Sequence, residues 1–172
     1  DVQATSGRLV IASATGVGAS NALETKVDSL EVVNATSGHI SISDASTDAL
    51  LVVNAVQQTA GNLQIVSDGT LTVVDNGVAG NAVATVDGTV TLEAVAAQVN
   101  DGIQSVDGNI TVTADNNISL SDGTLIDAGS GTITLSADGD ITLGRLLTTN
   151  DSTAAVRLTS TAGEIVDGGD TG

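Results

Sequence analysis

The sequence predicts an all-β fold, a right-handed parallel β-helix of about eight coils. Three observations predict it. The 172 residues include no Phe, Tyr, Trp, Met, Cys or Pro, so the apolar residues are almost all Val, Leu, Ile and Ala. Asp-Gly and Ser-Gly steps separate short alternating apolar runs, which is the pattern of β-strands joined by tight turns. The same phrase also recurs along the whole chain.

The repeat consists of pairs of apolar residues separated by one position. Their first members lie about 19–23 residues apart, a period typical of solenoid repeats. The pairs are Leu9/Ile11, Leu30/Val32, Leu50/Val52, Leu71/Val73, Val90/Leu92, Ile110/Val112, Ile133/Leu135 and Val156/Leu158. A β-sandwich does not repeat its sequence, whereas a solenoid stacks equivalent residues on each other. We therefore expect the eight pairs to form two continuous inward columns, one for each member of the pair.

The composition indicates one domain over residues 1–172 with a narrow core, because no long side chain is present to fill a wide one. Four basic residues face 21 acidic ones, for a net charge of -17. Such a charge disfavours nucleic acid and anionic membranes as partners. No apolar run is long enough to insert into a membrane. Since the chain begins at Asp1 inside a repeat, we expect a segment of a longer or processed polypeptide.

The phrases "DGNITVTADNNISLSDG" (107–123) and "SGTITLSADGDITLGRLLT" (130–148) resemble the repeats of filamentous-haemagglutinin-like and giant repetitive bacterial surface proteins. The resemblance extends from about Ser6 to Gly168. It implies secretion, an extracellular or cell-surface location and an adhesive or structural role. It implies no catalytic residue.

Candidate catalytic residues are few, and we expect no enzyme activity and no cofactor. His39 is the only histidine and has no Cys, His or Ser-Asp partner nearby in sequence, so we expect a surface histidine. Asp138 and Asp140, with Arg145, imitate the acidic face of β-helix enzymes that act on polysaccharides, but no aromatic residue is present to bind a sugar ring. The Asp-rich turns lack the calcium β-roll motif. We expect weak calcium binding there at most.

A threonine phrase suggests an alternative function. T-x-T strands recur, and the repeat alignment puts Thr72, Thr91, Thr111 and Thr134 in one outward column. A flat threonine ladder of this kind is used by ice-binding β-helices, and it also suggests a carbohydrate-binding module. Threonine is equally the commonest polar residue of β-strands, so the ladder can be purely structural.

Two further columns follow from the same alignment. Val10, Val33, Leu51, Val53 and Val74 alternate with the inward positions, so we expect an outward apolar stripe that packs laterally against another subunit or segment. Asn34, Asn54 and Asp75 follow the second inward position, which predicts a short structural ladder of hydrogen-bonded side chains at a corner.

Neither end of the chain contains a sequence typical of a cap. The end coils of a β-helix expose unpaired backbone groups, so they must meet further coils of the same chain or another copy. The sequence therefore predicts a homo-oligomer or filament. We expect a structural segment of an extracellular fibre or adhesin stalk, with the binding module as the alternative.

Overall fold

The chain forms a parallel β-solenoid of about seven turns without a helix among the described residues. A computed structural model describes residues 1–75, 77 and 80–169 and, of Thr5, the backbone alone. The strands are β1 (Val2–Ser13), β2 (Leu23–Asn34), β3 (Ile40–Asp44), β4 (Leu50–Ala60), β5 (Leu63–Val73), β6 (Val83–Asp87), β7 (Val90–Val99), β8 (Ile103–Ser105), β9 (Ile110–Ala114), β10 (Ile118–Leu120), β11 (Leu125–Asp127), β12 (Ile133–Ala137), β13 (Ile141–Leu143), β14 (Arg145–Leu147), β15 (Val156–Ser160) and β16 (Ile165–Asp167). The predicted fold class is confirmed. The right-handed sense of the coil stays a prediction.

Each coil has three strand segments, which build three faces that we call A, B and C. Face A contains β3, β9, β12, β15 and the first halves of β5 and β7. Face B contains β10, β13, β16, the start of β4 and the second halves of β5 and β7. Face C contains β6, β8, β11, β14, the second half of β4 and the ends of β1 and β2. Every strand pair is parallel, as stacking of successive coils requires.

The core is a set of aliphatic columns with one residue per coil on each face. On face A the first column is Ile40, Leu63, Val90, Ile110, Ile133 and Val156. The four members from Leu63 to Ile133 are fully buried. Each fully buried aliphatic side chain contributes about 1.5–3 kcal/mol of transfer free energy. Ile110 and Val112 on face A, and Ile118 and Leu120 on face B, point inward as the alternation of "DGNITVTADNNISLSDG" predicts.

The predicted continuous columns are wrong at two steps. Leu30 pairs with Val52 rather than Leu50. The neighbour of Val90 in the preceding coil is Leu63, while Leu71 lies on face B and pairs with Ala97. The repeat alignment therefore joined residues of two different faces. It did so because β5 contains two apolar pairs, Leu63/Ile65 and Leu71/Val73, and either one fits the repeat.

Coil length varies more than the repeat alignment predicts. Along the first column of face A, the longest step runs from Leu63 to Val90 and the shortest from Val90 to Ile110. The long coil contains the connection from β5 to β6, residues 74–82, between faces B and C. Strand pairing resumes at Val83 on face C, so the solenoid tolerates the longer connection.

Glycines stack at the corner between faces C and A. A Cβ atom added at Gly108 would overlap the carbonyl oxygen of Gly88, and one added at Gly131 would overlap that of Gly108. Gly61 and Gly88 are related in the same way. This close approach of backbones explains why the repeat has glycine here in coil after coil.

Candidate functional site

A ladder of buried polar side chains stabilises the corner between faces C and A. Asn34 is fully buried, and its Oδ1 accepts a hydrogen bond from the Gly16 N–H at 2.8 Å. Its Nδ2 donates to Ser37 O and to Gln57 Oε1, both at 2.8 Å. In the following coils Thr85 and Ser105 occupy the same column and donate to the carbonyl oxygens of the stacked glycines. These residues stabilise the turn by satisfying backbone groups of neighbouring coils.

The predicted ladder of Asn34, Asn54 and Asp75 is therefore not formed. Asn54 pairs with Glu31 at an outward position of face C, and Asp75 is an exposed residue that follows β5. The true partner, Gln57, lies three residues beyond Asn54. Gln57 is a polar residue at an inward position of a strand, and this pattern in the sequence could have identified it as the partner of Asn34.

The threonine ladder forms in part. Thr91, Thr111 and Thr134 stack in register on the outside of face A and are half-buried. Thr113 and Ser136 form a parallel column beside them. Thr72 is not a member, because it lies on face B between Leu51 and Gln98 and is only 8% exposed. The column is bounded by Gln64 in the preceding coil and Arg157 in the following one.

The predicted outward apolar stripe divides among three places. Val10 and Val33 lie on the outside of face C, whereas Leu51 lies on face B and pairs with Ser29 and Thr72. Val53 and Val74 lie where the chain leaves face B, with the Val74 N–H donating to Val52 O at 3.0 Å. The five residues therefore do not form one surface. The lateral contact itself stays a prediction.

Face C nevertheless has an apolar exterior that is larger than the sequence indicated. Its middle outward column is Ala12, Val33, Val56 and Ala84, followed by Gln104, Asp127 and Leu147. Val86 and Val106 lie beside this column and are 48% and 46% exposed. We call this surface the apolar face and define it by Val10, Ala12, Val33, Val56, Ala84, Val86, Val106, Leu125 and Leu147.

Carboxylates line both margins of face C in the coils of β6, β8, β11 and β14. Asp75, Asp101 and Asp122 lie at the corner between faces B and C, where a shallow cleft of about 360 Å³ also contains Asn81 and Asn100. A second set lies at the corner between faces C and A, namely Asp87, Asp107 and Asp151. We call these two rows the acidic edges. Residues 27–144 contain no Lys or Arg, so no basic side chain from that stretch neutralises them.

The remaining candidate residues take part in contacts between coils. His39 is exposed, and its Nδ1 accepts a hydrogen bond from the Asn62 N–H at 2.9 Å. Asp138 accepts from Thr161 Oγ1, and Asp140 accepts from the Glu164 N–H, both at 2.9 Å. Arg145 begins a strand of face C, whereas Asp138 and Asp140 lie between faces A and B. The three residues do not form the acidic face of a polysaccharide enzyme.

Within residues 1–75, 77 and 80–169, no three His, Cys, Asp or Glu side chains are grouped closely enough to hold one metal ion. Weak calcium binding at the turns stays a prediction. In the same part of the chain every buried side-chain nitrogen or oxygen has a hydrogen-bond partner, and no helix could span a membrane.

No protein-family model, curated protein or solved structure matches this chain.

Proposed function

We propose that this chain is a non-enzymatic structural segment of an extracellular fibre, filament or adhesin stalk. Further coils, from the same polypeptide or from another copy, stack on its edge strands. The observation that carries the proposal is the apolar layer of the last described coil. Val156 and Ile165 continue the inward columns of faces A and B, yet they are 41% and 44% exposed. A further coil would bury both.

The backbone of the edge strands supports the same proposal. Among the described residues β14, β15 and β16 each hydrogen-bond to a neighbour on one side only, and β1 pairs only with β2. Unpaired strand edges bind further strands through backbone hydrogen bonds. A contact between opposite ends is heterologous and does not close, so repeated contacts of this kind make a filament.

The proposed location at a bacterial surface is supported by the resemblance of the repeats to those of filamentous-haemagglutinin-like proteins. The proposed mechanical role is supported by the way in which successive coils pair. Parallel strand pairing and a largely aliphatic interior recur in successive coils. Stability in such a solenoid grows with each added coil, because each one contacts its neighbours in the same way.

The test is self-assembly of the purified 172-residue chain, followed by electron microscopy and light scattering. We expect rods several times longer than one chain. The double variant Val156→Asp/Ile165→Asp puts charge into the apolar end layer and should leave single particles. The matched control, Thr113→Asp/Ser119→Asp, adds the same charge at exposed mid-chain positions and should still form rods. Single particles for the unchanged chain at every concentration would contradict stacking between copies.

A second candidate, an ice-binding or carbohydrate-binding module, rests on the column of Thr91, Thr111 and Thr134. Successive hydroxyl groups in register lie about 4.8 Å apart along a sheet, a regular array that an ordered water layer can match. The column is only three residues long, however, and Glu93 lies beside it. Thermal hysteresis of the purified chain that is lost in Thr111→Lys would favour this candidate over the structural segment.

A further inference from the structure

The sequence contains seven Asp-Gly steps. Their aspartates are Asp68, Asp87, Asp101, Asp107, Asp122, Asp138 and Asp167. The seven steps are chemically alike, because glycine has no side chain to shield its backbone nitrogen from the carboxyl group of the preceding residue. The structure distinguishes them by the atom that each glycine N–H contacts.

One of these steps has its glycine N–H directed at its own aspartate. The Gly102 N–H donates a hydrogen bond to Asp101 Oδ1 at 2.6 Å. This distance is short for an N–H···O bond, so the side-chain carboxyl group is held against the backbone nitrogen of the next residue. The carbon atom that carries Oδ1 is the atom that this nitrogen would attack to close a five-membered ring.

In four other steps the glycine N–H is held by a different residue. The donor and acceptor atoms lie 2.7–3.2 Å apart, and the pairs are Gly69 to Ser67 Oγ, Gly108 to Ser105 Oγ, Gly139 to Asn116 O and Gly168 to Leu143 O. Each of these bonds directs the glycine nitrogen towards a group other than its own aspartate carboxyl.

The corner between faces B and C holds the Asp101-Gly102 step in place. A Cβ atom added at Gly102 would overlap Asn81 Oδ1, so this position requires glycine. Gly102 is buried, and its carbonyl oxygen accepts a hydrogen bond from the Val83 N–H at 3.3 Å. Asp101 is half-buried and lines the shallow cleft of this corner, so water can reach its carboxyl group. Two groups held in contact react faster than the same groups on a free chain.

We propose that Asp101 is a site of spontaneous isomerisation to isoaspartate. The Gly102 nitrogen attacks Cγ of the protonated Asp101 carboxyl group. The N–Cγ bond forms, the Cγ–OH bond breaks, and the hydroxyl group leaves with the proton of the nitrogen as one water molecule, which gives a succinimide ring.

A second water molecule then opens the ring at either carbonyl carbon. Cleavage of the new N–Cγ bond restores aspartate. Cleavage of the bond between the main-chain carbonyl carbon of Asp101 and the nitrogen of Gly102 gives isoaspartate. One water molecule is lost and one is gained, so the mass of the chain does not change.

Isoaspartate would lengthen the main chain by one atom directly before β8. Ile103, the first residue of β8, is fully buried and pairs with Val83 and Ile126. The corner has to absorb the extra atom if these pairs are to persist. The modification concerns a corner in the middle of the solenoid, so it is independent of end-to-end stacking.

The test is incubation of the purified chain in water enriched in the heavy oxygen isotope. Each passage through the succinimide inserts one heavy oxygen atom, and tandem mass spectrometry locates it. An endoprotease that cleaves before aspartate but not before isoaspartate then measures the isomerised fraction. In the folded chain we expect labelling about tenfold faster, because of the held contact, at Asp101 than at Asp68, Asp107, Asp138 and Asp167. In urea the five rates should become similar.

The variant Asp101→Glu keeps the carboxylate but would need a six-membered ring, so labelling at this position should fall to background. The matched control, Asp107→Glu, should leave labelling at Asp101 unchanged, and circular dichroism checks that both variants fold. Equal labelling of Asp101 and the four other aspartates in the folded, unchanged chain would overturn the proposal. The same preference for Asp101 in urea would also overturn it, because the cause would then be the local sequence and not the corner.

Discussion

At the scale of single residues, a few buried polar side chains stabilise the corners of the coils through hydrogen bonds. Asn34 is the clearest case, because all of its described hydrogen bonds are made inside the molecule and it is fully buried. Leaving buried donors and acceptors without partners costs about 1–3 kcal/mol for each group. The stability of this corner therefore depends on the identity of one side chain.

We predict that Asn34→Ala lowers the free energy of unfolding by about 3 kcal/mol, since Gly16 N–H, Ser37 O and the Gln57 amide lose their partner. Asn54→Ala is the matched control, because Asn54 occupies an outward position. It should cost less than about 1 kcal/mol. Urea unfolding followed by circular dichroism measures both changes. Equal losses would support the ladder that the repeat alignment predicts over the one in the structure.

The residue scale also shows why the predicted polar ladder was wrong. Gln57 lies farther along the chain from Asn34 than Asn54 does. The alignment favoured Asn54 because it looked for like residues at a constant spacing. The hydrogen-bond partner of Asn34 must instead point into the interior of the coil. Gln57 points inward, whereas Asn54 does not.

At the scale of strands, the register decides which residues form each outward surface. Long strands such as β5 and β7 turn a corner without ending, so each contributes to both face A and face B. The shift in pairing between Ser67 and Thr70 marks the bend. Thr72 therefore faces a different direction from Thr91, although both occur in T-x-T phrases.

Disulfide trapping tests this register, and the absence of native cysteine makes it unambiguous. Gln64 and Thr91 are outward partners on adjacent strands of face A. Neighbouring strands lie about 4.7–4.9 Å apart, which is within the Cα separation of about 4.4–6.8 Å that a disulfide needs. We predict that Gln64→Cys/Thr91→Cys oxidises readily and raises stability by about 3 kcal/mol.

The control for this experiment is Thr72→Cys/Thr91→Cys, which joins positions on different faces and should remain reduced. Thiol titration and intact mass report the outcome. Ready oxidation of the control with none for Gln64→Cys/Thr91→Cys would restore the register of the repeat alignment.

At the scale of the whole molecule, most of the acidic side chains lie at the corners between the faces. Carboxylates concentrate at the corners, and residues 27–144 contain no Lys or Arg. The repulsion between these carboxylates is the main long-range electrostatic force in the fold. This repulsion opposes lateral contact between solenoids and is weakest towards the ends, where all four basic residues lie: Arg8, Lys26, Arg145 and Arg157.

We predict that salt stabilises the protein. Raising NaCl from about 0.01 M to about 0.1 M shortens the screening length from about 30 Å to about 10 Å. The melting temperature should rise by a few degrees, because repulsion between the edges is reduced. Thermal unfolding by circular dichroism measures it, and a lower melting temperature would contradict the charge argument. A larger rise with CaCl₂ at equal ionic strength would reveal calcium binding at the turns.

The amino-acid sequence by itself determined the kind of structure. Alternating aliphatic residues and turns marked by glycine specify short strands. The recurrence of this pattern specifies stacked parallel coils, because only stacking places equivalent residues of successive repeats next to each other. Ile110, Val112, Ile118 and Leu120 were correctly predicted as inward for this reason. Only the tertiary structure decided which residue of one coil stacks on which residue of the next coil. A period of two is the same on every face, so the local pattern cannot distinguish Leu63 from Leu71. Corner loops of different length also shift the spacing, and the choice of partner is made by long-range packing.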